Sequence, residues 1–332
     1  MNAALIALDW GTSSLRAYAI AADGSMIGTR SEALGIMQVT NGDFHAALRQ
    51  CCGDWLDAAP HATLIASGMI GSKQGWLEAP YCACPADAAS IARAMVKLSM
   101  SDGRTLHIVP GVSFTDPRSG VPDVMRGEET QIIGALPATG SYLAALPGTH
   151  SKWVWIESGA IVRFSSWMTG EVYAALSQHT ILGRLMQEDA PHDTAAFARG
   201  VRYGFAAPAA LLHNIFSART LGLFGTLNAA ALPSYLSGML IGAEIGGALG
   251  QARGAGGTDS TSDTDSTSGA SGASGTGGGV EATHASTTIT LIGSSALTAR
   301  YDAALTLCGF TSQHGPEDAA RLGLCALAAE LC

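Results

Sequence analysis

A strand–turn–strand pattern occurs twice in this chain, on the same plan. In the first copy, the apolar run "LIALDW" reaches an acid, turns through Gly-Thr-Ser-Ser and continues as the apolar run "LRAYAIA". In the second copy, "SYLAALPGTHSKWVWIESGAIVRF" gives three apolar runs separated by a Pro-Gly-Thr turn and a Ser-Gly turn. Short apolar runs bounded by turn residues are typical of buried strands. Two such units separated by helices predict an α/β fold with two similar lobes that face each other across a cleft.

The remaining patterns fill in this outline. The pair Asp23-Gly24 predicts a hairpin that adds "IGTRSEAL" to the first unit. Further strands are predicted at "ATLIASGM", "TLHIVPGV" and "TTITLIGSS". Helices are predicted at "DFHAALRQCCGDWLDA", "RGEETQIIGALP", "PSYLSGMLIGAEIGGALGQ", "ALTARYDAALTLCG" and "PEDAARLGLCALAAEL". Ligands in such folds bind at the carboxyl ends of strands, so the turns that follow strands are the first places to look for a site.

Composition limits the classes of partner. The net charge of -9 and the absence of a basic stripe argue against a nucleic-acid partner. No apolar run approaches the roughly 18 to 20 residues that span a bilayer, and the first residues lack a basic segment, so we expect no membrane contact and a cytoplasmic protein. The seven cysteines form no spaced metal-binding pairs and are expected to be reduced. Residues 254–279 are nearly all Gly, Ser, Thr, Asp and Ala, which predicts a disordered surface loop.

The first turn carries groups suited to a polyphosphate. Asp9 ends the apolar run, and an acid at that position needs a partner such as a cation. Gly11 permits an unusual backbone angle and the close approach of a ligand. The hydroxyls of Thr12 and Ser13, together with N–H groups of the turn, can surround phosphate oxygens, and Arg16 adds positive charge nearby. The alternative is an ordinary polar hairpin with a solvated aspartate.

Two later turns repeat this chemistry. The second turn offers a further phosphate cradle formed by Gly148, Thr149, His150 and Lys152. The alternative for this turn is that Lys152 is a charge on an edge strand and His150 a plain loop residue. The third turn ends a strand at Gly293 and Ser294 and opens a helix, whose N-terminus stabilises anions and hydrogen-bond acceptors.

Taken in order, five segments resemble the motifs of the actin-like, sugar-kinase and heat-shock-chaperone ATPase superfamily. The two phosphate motifs, the adenosine motif and the two connecting helices are matched by "LDWGTSSLRAY", "LPGTHSKWV", "ITLIGSSALTARY", "RGEETQIIGAL" and "GPEDAARLGLCALAAEL". Within that superfamily, phrases such as "GMIGSKQGW", "VMRGEETQ", "MTGE" and "LSGMLIGAEI" resemble the 2-dehydro-3-deoxygalactonokinase family. The resemblance implies two ribonuclease-H-like lobes, at residues 1–138 and 139–314, and a C-terminal helix at 315–332 that returns to the first lobe.

The resemblance also implies a reaction, in which the γ-phosphate of ATP is transferred to the terminal hydroxyl of 2-dehydro-3-deoxy-D-galactonate. Asp9 would then hold Mg²⁺, and Lys152 or Arg16 would neutralise charge on the phosphates. The general base would be an acid at the start of the first connecting helix. Related kinases carry an aspartate there, whereas this chain offers both Glu128 and Glu129. The sequence leaves the choice between the two glutamates open.

The acceptor is a sugar acid, which needs cations and hydroxyl donors. Arg126 lies two residues before Glu128 and is expected to pair with the carboxylate. The other residues expected to bind the acceptor are Ser72, Lys73, Thr169 and Glu171. Two alternatives stay open: a kinase of the same fold for another sugar, and a non-catalytic nucleotide-binding regulatory protein. The oligomeric state, including a homodimer, is also open.

Overall fold

The computed structural model describes residues 3–254 and 288–331. Residues 255–279 of the predicted surface loop lie outside the described residues. The strands are β1 (Leu5–Trp10), β2 (Leu15–Ile20), β3 (Met26–Glu32), β4 (Thr63–Ser67), β5 (Cys82–Ala83), β6 (Val96–Ser99), β7 (Thr105–Ile108), β8 (Val112–Thr115), β9 (Pro122–Met125), β10 (Ser141–Leu146), β11 (Ser151–Glu157), β12 (Ala160–Trp167), β13 (Ile289–Leu291) and β14 (Ser312–His314). The helices are α1 (Phe44–Ala58), α2 (Ala88–Arg93), α3 (Glu128–Ala135), α4 (Thr169–His179), α5 (Thr194–Ala206), α6 (Leu211–Asn214), α7 (Ser217–Leu223), α8 (Leu232–Gly254), α9 (Ser295–Leu307) and α10 (Ala319–Ala329).

Two sheets share one topology. The first has the order β3-β2-β1-β4-β7-β6, and the second has the order β12-β11-β10-β13-β14. In each sheet the first three strands of the unit pair antiparallel as a meander, and the next two strands add in parallel on the other side of the unit's first strand. This is the ribonuclease-H-like strand order, so the prediction of an α/β fold with two similar lobes is confirmed. The predicted domain boundaries stay a prediction.

The helices α3 and α10 lie against each other with their backbones in contact. A Cβ atom added at Gly323 would lie 1.8 Å from the Thr130 carbonyl oxygen, and one added at Gly134 would lie 2.0 Å from the Ala319 carbonyl oxygen. Only glycine leaves room for an approach this close. Since α10 also contacts β1, the crossing fixes the start of α3 relative to the first sheet.

The two lobes are joined through a common apolar core. Val109 and Met125 of the first lobe belong to one buried cluster with Val154 and Phe164 of the second. A small sheet of order β5-β8-β9 brings the first lobe against β12. There the Asp123 carboxylate accepts hydrogen bonds from both the backbone N–H and the hydroxyl of Ser166, each at 2.6 Å. The lobes are therefore held together along β9 and β12.

In the part of the chain that the structure describes, no helix is both long and apolar enough to cross a bilayer.

Candidate active site

Asp9 lies inside a strand and beside a cation. The strand β1 continues one residue past Asp9, to Trp10, and Asp9 is the cross-strand partner of Arg16 on β2. The Arg16 Nη1 atom is 3.8 Å from the Asp9 Oδ2 atom. Burial raises the pKa of Asp9, and the Arg16 charge opposes this rise. The carboxylate is thus a partly buried group with one neighbouring cation, and it is not the solvated acid of an ordinary hairpin.

One hydrogen bond and one close backbone contact hold the loop after β1 in place. The Gly11 N–H donates to the Ser14 carbonyl oxygen at 2.9 Å, which closes the turn. Gly35 packs on the loop so closely that an added Cβ would lie 2.3 Å from the Ser13 nitrogen and the Thr12 oxygen. Thr12 and Ser13 themselves are exposed. The prediction of an unusual backbone angle at Gly11 is wrong, because its φ is not positive and a Cβ there would meet only the Ser14 oxygen, at an ordinary 3.6 Å.

The second turn packs on the start of α4. An added Cβ at Gly170 would lie 2.5 Å from the Gly148 carbonyl oxygen, and the Glu171 N–H donates to the Thr149 carbonyl oxygen at 3.0 Å. The His150 Nε2 atom and the Glu171 Oε2 atom are 2.5 Å apart. The structure therefore places Glu171, which was expected to bind the acceptor, directly at the second turn.

Lys152 lies between the lobes. It is on β11, which lies between β10 and β12, and its side chain is 5% exposed. The interpretation of Lys152 as an edge-strand charge is therefore wrong. Its Nζ atom donates to the His150 carbonyl oxygen at 3.1 Å and lies 3.6 Å from the Glu128 Oε1 atom. The second phosphate turn thus reaches the first connecting helix through an ion pair.

Two glycines allow α3, the first connecting helix, to begin at Glu128. Gly127 has a φ of +107° and Gly68 a φ of +93°, a region that side chains rarely adopt. A Cβ at Gly127 would be 3.3 Å from the Gly68 Cα atom, and a Cβ at Gly68 would be 2.8 Å from the Trp10 carbonyl oxygen. Each glycine therefore lets the backbone come close, so that α3 begins beside the ends of β1 and β4.

The two glutamates at this helix start differ in environment. Glu128 is 26% exposed, and its Oε2 atom accepts the Arg126 backbone N–H at 3.0 Å. Glu129 is 0% exposed, and its carboxylate accepts the Gly127 N–H at 2.7 Å and the Thr130 hydroxyl at 2.9 Å. Burial and the neighbouring Glu128 charge raise the pKa of Glu129 to about 7. Glu128 is therefore partly exposed, whereas Glu129 is enclosed.

In the described part of the chain, Arg126 and Ser72 have buried polar atoms without a hydrogen-bond partner. The Arg126 Nη2 atom donates to the Ala79 carbonyl oxygen at 2.8 Å, and its guanidinium lies over the Tyr81 ring at 4.5 Å. Among the described residues, the Arg126 Nε and Nη1 atoms and the Ser72 Oγ atom have no hydrogen-bond partner. Lys73, next in the chain, is exposed. Unsatisfied buried donors are costly, so these atoms favour a polar ligand nearby.

A cavity of about 400 Å³ connects the first and third turns. Its lining includes Asp9, Arg16 and Gln131 from the first lobe and Gly293, Ser294 and Ser295 from the second. Gly293, with a φ of +146°, makes the bend that ends the strand and starts α9. A smaller cavity of about 80 Å³ extends from the second turn between three helices and is lined by Gly148, Tyr173, Ser237, Leu297 and Arg300, among others.

Fold and site together define a class. Paired ribonuclease-H-like lobes, with turns from both lobes opening on one cavity, make this chain an actin-like ATPase-fold protein. A family model described as 2-keto-3-deoxy-galactonokinase matches residues 9–259. The chain therefore belongs to the 2-keto-3-deoxy-galactonokinase family.

Individual relatives agree with this assignment. The chain is 39% identical over 257 residues to a protein of Rhizobium meliloti (strain 1021) whose name assigns it as a 2-dehydro-3-deoxygalactonokinase, with 76% of this chain and 82% of that protein covered. It is 36% identical over 247 residues to the 2-dehydro-3-deoxygalactonokinase of Escherichia coli (strain K12), with 74% and 80% covered. A crystal structure from Sinorhizobium meliloti, of a protein named for the same kinase, superposes with a TM-score of 0.82 at 35% identity and covers 98% of this chain and 99% of that one.

Proposed function

We propose that the protein transfers the γ-phosphate of ATP to the terminal hydroxyl of 2-dehydro-3-deoxy-D-galactonate, giving the 6-phosphate in galactonate catabolism. The observation that carries this proposal is the Lys152–Glu128 pair, in which a cation from a phosphate turn of one lobe meets an acid from the helix start of the other. The names of the relatives support the choice of acceptor. Cytoplasmic location and a homodimer stay predictions.

The nucleotide is proposed to lie across the lobes. Phosphoryl transfer depends mostly on positioning and charge neutralisation, and exposed hydroxyls and N–H groups at the ends of strands serve both. Thr12 and Ser13 in the first turn and Thr149 in the second contact the phosphates in this proposal. The base and ribose are proposed to lie beside α9, next to the smaller cavity that Tyr173 and Arg300 help to line.

Asp9 is proposed to hold Mg²⁺. The described residues contain no group of three or more metal-ligating side chains. Magnesium is commonly bound by one or two carboxylates together with water and substrate phosphates, so a single carboxylate fits. Asp9 suits this role because its nearest cation, Arg16, is 3.8 Å away and leaves the carboxylate oxygens available. Bound there, the ion would supply charge neutralisation for the phosphates.

Glu128 is proposed as the general base. A base must come within about 3 Å of the hydroxyl that it deprotonates. Glu128 is 26% exposed and its Oε1 atom is held only by an ion pair at 3.6 Å, whereas Glu129 is fully buried and both of its oxygens accept hydrogen bonds. Before substrates bind, Lys152 neutralises Glu128. When a phosphate attracts Lys152, Glu128 becomes available to the acceptor hydroxyl.

The acceptor carboxylate is proposed to bind Arg126, with Ser72 and Lys73 as further donors. The buried N–H groups of Arg126 that have no partner supply the positive charge that a carboxylate needs. Thr169 and Glu171 are proposed to bind the acceptor from the start of α4. That helix start lies at the second turn, where the Glu171 N–H donates to the Thr149 carbonyl oxygen.

The test is ADP release measured with a panel of sugar acids and neutral sugars. We expect turnover with 2-dehydro-3-deoxy-D-galactonate and none with neutral sugars. Turnover with neutral sugars alone would instead establish a kinase of the same fold for another sugar. Nucleotide binding without acceptor-dependent ADP release would establish a regulatory protein.

Matched variants test the base. Glu128→Gln should lower kcat by about 10²–10⁴-fold, the usual contribution of general base catalysis. Glu129→Gln has the same change of charge one residue away and should keep most of the activity. Full activity in both variants would show that neither glutamate is the base.

A further inference from the structure

A buried carboxylate lies behind the second phosphate turn and takes no part in the reaction above. Glu244 is on α8 and is 2% exposed. Its Oε1 atom accepts the indole N–H of Trp153 at 2.8 Å, and its Oε2 atom accepts the hydroxyl of Tyr301 at 2.7 Å. The Tyr301 hydroxyl also lies 2.9 Å from the Ser151 Oγ atom. Within the described residues, Glu244 forms no ion pair, so neutral donors alone satisfy it.

The hydrogen bonds in this network run in one direction. The Trp153 indole nitrogen only donates, which fixes Oε1 as an acceptor. The single hydroxyl proton of Tyr301 points to Oε2, so the bond to Ser151 must use the Ser151 proton. The donors therefore run from Ser151 to Tyr301 to Glu244, and Ser151 also interacts with the carboxylate itself. The orientation of the Ser151 hydroxyl thus depends on the carboxylate.

The partners of Glu244 come from different parts of the proposed nucleotide site. Ser151 follows the second turn directly and precedes Lys152. Tyr301 is on α9, the helix that the third turn opens. Thr169, at the start of α4 where that helix packs on the second turn, lowers the pKa of the Glu244 carboxyl by side-chain hydrogen bonding. Three elements that meet at the nucleotide thus converge on one buried carboxylate.

We infer that Glu244, acting through Tyr301 and Ser151, is a positioning residue that holds the second turn and the start of α9 in the relative placement that binds nucleotide. The inference rests on the proposed function for the identity of the ligand. A buried carboxylate is a poor way to gain stability, because apolar residues of similar volume often stabilise as well or better. Directional hydrogen bonds fix the orientation of a hydroxyl group in the turn, which apolar packing does not do.

The variant Tyr301→Phe tests this, since it removes the hydroxyl that bridges Glu244 and Ser151 and leaves the aromatic ring. The matched control is Tyr235→Phe. Tyr235 is equally buried, lies on α8, and its hydroxyl pairs with the Ser217 Oγ atom at 2.8 Å. Binding of ADP is measured by calorimetry, KM values for ATP and the acceptor by ADP release, and Tm by thermal unfolding.

We expect Tyr301→Phe to weaken ADP binding and raise the KM for ATP by about tenfold, the effect of one lost hydrogen bond to a charged group. The KM for the acceptor should not change. Tyr235→Phe should lower Tm to a similar extent and leave ADP binding unchanged. Ser151→Ala should match Tyr301→Phe, and the double variant should be no weaker than either, because both remove the same chain of hydrogen bonds.

Two results would overturn the inference: ADP affinity within twofold of wild type in both Tyr301→Phe and Ser151→Ala, or an equal loss in Tyr235→Phe. The ADP measurement needs no turnover. A wild-type protein that binds ADP but phosphorylates no sugar acid would therefore defeat the proposed function and still leave this comparison decisive.

Discussion

The buried Glu129 carboxyl should make the stability of the fold depend on pH in a way that one substitution removes. The pKa of Glu129 is raised to about 7 from an ordinary value of 4.5, by burial first and by Glu128 second. Between those two pH values the folded protein keeps a proton that the unfolded chain has lost. The free energy of unfolding therefore falls as pH rises from about 4.5 to about 7. At 1.36 kcal/mol per pH unit, this single group costs about 3 kcal/mol by pH 8.

The variant Glu129→Gln stays neutral at every pH and should not show this decline. Its amide accepts one of the two hydrogen bonds that the carboxylate accepts, so we expect a loss of about 1 kcal/mol at pH 5. At pH 8 the same variant should be more stable than wild type by about 2 kcal/mol, because it avoids the cost of the buried charge. The two stability curves should therefore cross near pH 6.

Urea unfolding followed by circular dichroism at intervals from pH 5 to pH 8 measures both curves. Glu128→Gln is the control, since it removes the neighbouring charge but keeps the Glu129 carboxyl. Its stability should still decline with pH, but over a shorter range than in wild type, because removing the Glu128 charge lowers the pKa of Glu129. Parallel curves for wild type and Glu129→Gln would refute the reasoning.

With Glu128 neutral, the pKa of Glu129 lies closer to 4.5, so the decline in Glu128→Gln should end at a lower pH than in wild type. Its total size should also be smaller, because the cost of the buried charge grows with the difference between the two pKa values. The loss of stability between pH 5 and pH 8 in the control should therefore be intermediate between those of wild type and Glu129→Gln.

Three further substitutions follow from the same contacts. Asp9→Asn should abolish Mg²⁺-dependent ADP release without lowering Tm, since burial disfavours the charged carboxylate that it removes; a measurable Mg²⁺-dependent rate would contradict the metal role. Lys152→Met should lower kcat by about 10²–10³-fold, as expected when one group that stabilises transition-state charge is lost; unchanged single-turnover rates would exclude Lys152 from the transfer step. Gly323→Ala should lower the free energy of unfolding by about 3 kcal/mol or prevent folding, because the new Cβ meets the Thr130 carbonyl oxygen at 1.8 Å; a Tm equal to that of wild type would show that the helices separate easily.

Local patterns predicted the two strand–turn–strand units and the strands β4, β7 and β13, but not the short strands β5, β6, β8, β9 and β14. The strand–turn–strand units depend on short-range alternation of apolar runs and turn residues, and both units appear where the sequence places them. The helical region from α4 to α7 was not predicted at all. The helices α4, α6 and α7 are short or lie partly exposed, so their apolar residues give no clear period. The helix α5 does carry a helical pattern, with Phe197, Val201 and Gly204 buried on one face, and this signal was missed.

The candidate site was predictable only in part, because several of its properties depend on distant contacts. The burial of the Lys152 side chain follows from the position of β11 between β10 and β12, which the residues around Lys152 do not reveal. The difference between Glu128 and Glu129 follows from the approach of Gly127 to Gly68, about 60 residues away in the chain. Glu244 did carry a signal, since it is a lone acid in an apolar helix, but its partners come from other elements.

The ion pair between the lobes bears on when the proposed base becomes available. In this structure Glu128 is held by Lys152 and by the Arg126 backbone N–H, so both of its oxygens are engaged. In the proposed mechanism a bound phosphate attracts Lys152 and frees the Oε1 atom, while the Oε2 atom stays on the backbone N–H. The acceptor is proposed to bind the Arg126 side chain, whose Nη2 atom donates to the Ala79 carbonyl oxygen and not to Glu128. Release of the proposed base therefore depends on the nucleotide and not on the acceptor.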